Sequence, residues 1–172
     1  SPFPGEEMAV GCEVMSETEQ DLLVFAAALP EAVFGEIGAA LEAAKLRVVR
    51  TDATILGWLR SWYGPLQLSR PGRRLILTDV DDGWDLLVLD HGVPVLARGL
   101  GVQPDETALI REITLSLLNA ELDSGAGDIK EVLVVSAKAP DASLTDKLDN
   151  VTGVKARHVV PPDADGGVSG VA

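Results

Sequence analysis

Cysteine is nearly absent: Cys12 is the only one, which excludes an internal disulfide framework and any multi-cysteine zinc site. Aromatic residues supply 4% of the chain, so its core must be built from Leu, Val, Ile and Ala, as in α/β proteins with buried strands. Basic residues are scarce as well. Against 14 Lys and Arg stand 27 Asp and Glu, a formal charge of −13, and that field repels the phosphates of nucleic acid and of anionic lipid. No nucleic-acid partner is expected. No run approaches the roughly 20 apolar residues that span a bilayer, and no charged-then-apolar leader opens the sequence. Direct membrane insertion is not expected, and a reducing, cytoplasmic setting is. The two histidines, His91 and His158, lie in different segments and make neither a metal site nor a nucleophile triad. Ser136 and Ser143 lack a Gly-x-Ser-x-Gly elbow, and Gly99-Leu100-Gly101 lacks the third Gly of a dinucleotide fingerprint. Catalytic and metal-ligating residues are therefore both read as none.

What is present is apolar and patterned. Hydrophobic residues make up 47% of 172 positions with a mean hydropathy of +0.20, enough for one domain or two small lobes. Residues 1–7 and 161–172 are rich in Pro, Gly and Asp and read as flexible ends. Between them, Met8–Met15 reads as a strand, and the apolar run Leu22–Ala28 as a buried one. Pro30 and Glu31 open a helix carrying the stripe Val33, Ile37, Leu41, Ala44, which faces a core. A short strand over Leu46–Thr51 follows. Asp52 then caps a helix over Ala53–Trp62. These elements form a small α/β subdomain with a crossing helix over residues 8–63, bounded by the turn residues Tyr63-Gly64-Pro65 and Arg70-Pro71-Gly72.

Residues 73–160 form a second lobe in the order β-β-β-α-β-α-β. Arg74–Val80, Trp84–Asp90 and Val93–Gly99 make an antiparallel meander, because each connection is short and carries Gly. A helix from Asp105, its N-cap, runs to Leu122, and a strand over Glu131–Ser136, a helix over Asp141–Val151 and a strand over Val154–Val160 complete the lobe. The bend between the first two meander strands reads Asp79-Val80-Asp81-Asp82-Gly83-Trp84-Asp85. Small residues at such a bend let backbone N–H groups approach a phosphate, and a nearby Asp holds a metal or orients water. Trp58, Trp62 and Tyr63 cluster at the end of the second helix, where packing between lobes competes with partner binding.

The segment Leu75–Arg98, with Phe25–Glu31 and Leu41–Asp52 upstream, resembles the actin-like, sugar-kinase-like ATPase fold, a ribonuclease H-like lobe with a small inserted α/β subdomain. Within it the chain looks like PilM-type proteins of type IV pili and the cytoplasmic domain of GspL-type proteins of type II secretion, over about Leu22–Val160. The resemblance implies that the first phosphate turn lies upstream of this chain, and that Asp79, Asp82 and Gly83 form a vestigial second phosphate turn. Where the family has Gly and small hydroxyl residues, this chain has Asp81, Trp84 and Asp85. The adenosine turn falls at Ser136-Ala137-Lys138, which has no Gly.

The resemblance thus implies a bacterial cytoplasmic scaffold, peripheral to the inner membrane through its partners, with no cofactor. Those partners would be the cytoplasmic tail of an inner-membrane platform protein, the motor ATPase and further copies of the chain. An active ATPase binding Mg-ATP at Asp79–Asp85 is the alternative.

Overall fold

The computed structural model describes residues 7–48, 54–80, 83–124 and 127–161. The chain forms two compact units, Ser1–Gly57 and Trp58–Ala172.

In the first unit β1 (Met8–Glu17) pairs antiparallel with β2 (Leu22–Pro30), in register from Met8 opposite Pro30 to Val14 opposite Val24. The ladder shifts at Met15, between Val14 and Ser16. Thr18 closes the hairpin, its hydroxyl accepting the Asp21 N–H at 2.9 Å, an ST-turn that supplies the bend without glycine. Helix α1 (Glu31–Ala43) starts directly after Pro30, whose φ of −51° suits a helix start.

Three expectations fail in this unit. The run Leu22–Ala28 is no buried strand, since Leu22 and Val24 are 56% and 40% exposed. The α1 stripe does not face a core either, as Val33, Phe34 and Ile37 are exposed and the helix has no buried residue. Hydrophobic period reports which face favours burial, but a hairpin with one helix has nothing to cover that face. Leu46–Val48 has no strand geometry, and the rest of the strand expected there, with Asp52, lies outside the described residues.

The second unit contains the core. Helix α2 (Thr54–Tyr63) leads into a sheet of β3 (Arg73–Val80), β4 (Gly83–Asp90), β5 (Val93–Gly101), β6 (Ile129–Val135) and β7 (Ala156–Val159), in the order β5-β4-β3-β6-β7. As expected, β3, β4 and β5 form an antiparallel meander. The parallel pairs β3–β6 and β6–β7 need crossovers, supplied by α3 (Glu106–Ser124) and α4 (Ala142–Thr152).

Alternation along the strands sorts the core into two layers. Leu75, Leu77, Leu86, Val132 and Val134 pack with Leu109 and Ile113 of α3 and Leu144 and Leu148 of α4. Ile76, Leu87 and Leu133, on the opposite face, are equally buried. On that side Arg74, 4% exposed, donates to the carbonyls of Leu68 and Arg70 at 2.9 and 2.6 Å and to Glu131 at 2.8 Å. The connection after α2 is thereby tied to β3 and β6. The β4–β5 turn places His91 and Gly92 at φ +50° and +85°, the two positive values that a two-residue hairpin of matching twist requires. A Cβ on Gly92 would also lie 3.1 Å from the Leu68 carbonyl oxygen and from Ser69 Cα, so the turn packs closely against the connection after α2.

Candidate functional site

The expected phosphate bend sits where β3 ends. The C-terminal ends of β3 and β6 and the N-terminal ends of α3 and α4 surround a cleft of about 320 Å³, whose lining includes Asp79, Trp84, Asp105, Glu106, Ser136, Lys138 and Asp141. Open α/β sheets bind ligands at this end of their strands.

Asp79, exposed, is the cross-strand partner of Trp84, so both belong to the cleft side of the sheet. Asp82, with Asp81, lies outside the described residues. Asp85 pairs with Thr78 instead, which turns it to the other face beside Gly99, away from Asp79. Burial there pushes its carboxyl pKa up.

Gly83 opens β4 with φ +125°, and a Cβ on it would lie 2.0 Å from the Gly101 carbonyl carbon. Backbone packing against the end of β5 therefore requires glycine at this position, with or without a phosphate. The sequence signal for an anion turn and that for a close strand crossing are the same residue.

Most polar groups around the cleft already have partners. Asp105 Oδ1 accepts the Ala108 N–H at 2.8 Å, so the expected N-cap of α3 is present and a carboxylate occupies the helix end that would attract an anion. Glu106 accepts from Lys147 at 2.8 Å and from Ser143 at 2.6 Å. The Lys147 bond, then the Ser143 bond, hold its pKa below the usual glutamate value. Ser136, 1% exposed, donates through Oγ to the Lys138 carbonyl at 2.6 Å, and its own carbonyl lies 3.0 Å from His158 Nε2. What still faces the opening is Asp79, Asp141 and Lys138, all exposed. Among the described residues no group of three or more His, Cys, Asp or Glu could hold a metal ion.

The aromatic cluster divides. Trp58 and Trp62 stack with ring centroids 5.7 Å apart at 17°. Trp62 is 5% exposed, whereas Tyr63 is 39% exposed. No helix among the described residues is long and apolar enough to cross a membrane.

No protein-family model matches the chain, and no curated protein matches it. Solved structures do. A chain of the PilM–PilN type IV pilus biogenesis complex aligns with a TM-score of 0.72 at 17% identity, covering 95% of this chain and 59% of that one. A Bacteroides thetaiotaomicron protein described as having an actin-like ATPase fold and unknown function aligns with a TM-score of 0.51 at 10% identity, over 88% of this chain and 54% of that one. The fold is actin-like. This chain thus spans little more than half the length of either relative. Within the actin-like fold, the meander and its bend at Asp79 form the segment on which the sequence resemblance rested.

Proposed function

We propose that this chain is part of a cytoplasmic scaffold of a type IV pilus or type II secretion assembly platform, working through protein contacts, with a nucleotide cleft that has lost its anion-binding character. The alignment with a chain of the PilM–PilN complex over 95% of the sequence carries the reading. Its partner is the cytoplasmic tail of an inner-membrane platform protein, captured at the small subdomain. That unit offers an open two-stranded hairpin of β1 and β2, and extended segments bind well at free strand edges.

The chemistry of the cleft supports the scaffold over the ATPase. Asp79 and Asp141 face the opening with Lys138 as the one lining cation among the described residues, and Asp105 closes the α3 end. Each charge pair at contact repels by about 1 kcal/mol in water and several-fold more in a half-buried cleft. A triphosphate would meet that repulsion without the glycine-lined turn that normally offsets it.

Calorimetric titration of the whole protein tests the reading. The tail of the PilN-type protein from the same cell is expected to bind at micromolar concentrations, and Mg-ATP to give no heat. Micromolar Mg-ATP affinity with no tail binding would reverse the assignment in favour of an ATPase.

A further inference from the structure

The first unit is short of everything that holds a small domain together. None of the described side chains between Glu7 and Val48 is buried. An isolated two-stranded hairpin is marginal in water. Helix α1 has 13 residues with Gly35 and Gly38 inside it, shorter and weaker than an autonomous helix needs to be. The faces of the hairpin also differ. Ala9 and Phe25 on one are half-buried, as are Gly38 and Leu41 of α1, which marks the side where the helix lies. The other carries Val10, Val14 and Val24, exposed by 68%, 55% and 40%, with Cys12, Ala26 and Ala28 between them. At the turn end of that face stands Glu17, opposite Leu22, and the turn beside it adds the exposed acids Glu19 and Asp21.

We propose that the β1–β2–α1 unit folds conditionally: it gains a fixed structure when an apolar segment flanked by lysine or arginine covers Val10, Val14 and Val24. The flank follows from charge complementarity with the acidic turn, within a chain whose net charge of −13 draws in basic partners. The naming of that segment as the platform-protein tail rests on the function proposed above. The conditional folding itself does not. A unit without a core opens independently of the sheet unit, and an ordering contact supplies the buried area it lacks. The device makes assembly of the first unit contingent on the partner's arrival.

Hydrogen exchange of the full protein reads this directly. Alone, amides of residues 8–43 should exchange within about tenfold of the free-chain rate, while those of β3, β4 and β6 are slowed more than about a thousandfold. Protection over residues 8–43 equal to that of β3 overturns the proposal. With a peptide of the platform tail added, protection of β1 and β2 should rise at least about tenfold, and the double variant Val10→Lys, Val24→Lys should remove the rise while leaving β3 unchanged. If the peptide binds and residues 8–43 stay unprotected, conditional folding fails while the scaffold assignment stands. If residues 8–43 exchange fast and the peptide does not bind, the unit is unstable by itself and both the scaffold assignment and the proposed occupant fall.

Discussion

Arg74→Met isolates the contact that fastens the chain after α2 to the sheet. The guanidinium is 4% exposed and makes three hydrogen bonds, to Glu131 Oε2 at 2.8 Å and to the carbonyls of Leu68 and Arg70 at 2.9 and 2.6 Å. Methionine keeps most of the apolar stem and removes every one of those donors. Breaking a buried ion pair costs about 3–5 kcal/mol. Glu131 is 27% exposed and keeps its bond from Arg157 at 3.0 Å, so water and Arg157 compensate part of its loss. The low end applies, about 3 kcal/mol. With a urea slope near 2 kcal/mol/M, the midpoint should fall by about 1.5 M. Fluorescence reports on the right part of the molecule, because Trp58, Trp62 and Trp84 all belong to the second unit. Arg74→Lys keeps the charge but not the fork, and should lose roughly half as much. A loss below about 1 kcal/mol for the methionine variant, or a lysine variant indistinguishable from wild type, would show that this connection is held by apolar packing instead.

Gly83→Ala should destabilise the sheet unit by about 3 kcal/mol, from a left-handed φ combined with a clash against the β5 backbone; unchanged urea stability would mean that backbone packing places no demand on this glycine. Glu106→Gln should lower stability at neutral pH but not in acid. The folded pKa of Glu106 lies below its unfolded value, so its contribution is present above the unfolded value and is lost as pH falls through the folded one. Urea midpoints at pH 7 and pH 3 check this, and a gap independent of pH would rule out the charged contact with Lys147 as its source.

The amount of this molecule readable from sequence differs between its halves. In the second unit, short Gly-bearing connections between apolar runs announced the meander, and the helices expected after Asp105 and Asp141 are the two crossovers, whose Leu109, Ile113, Leu144 and Leu148 the structure buries while Leu118 stays 50% exposed. Local rules suffice there because each element finds a partner nearby in the chain. In the first unit the same rules named the hairpin strands and α1, but added a strand at Leu46–Val48 that has no strand geometry, and gave the wrong burial. Periodicity in Leu22–Ala28 and in α1 registers a demand for cover, and only the arrangement of neighbours says whether it is met.

The candidate site followed the same division. That the bend after β3 lies at the ligand-binding end of the sheet was legible from the strand–turn–strand pattern and the resemblance. The separation of Asp85 from Asp79 was not, because the run Asp79–Asp85 alone does not reveal which residue will pair with which. Composition and periodicity determined an acidic, leucine- and valine-rich α/β chain with a three-strand meander, since those properties depend on neighbours a few residues apart, and its actin-like character came from the resemblance. Tertiary structure decided that Gly83 is demanded by the β5 backbone and that Arg74 anchors the connection after α2. It also left the first hairpin uncovered. These features depend on groups distant in sequence meeting within a few ångströms, or failing to.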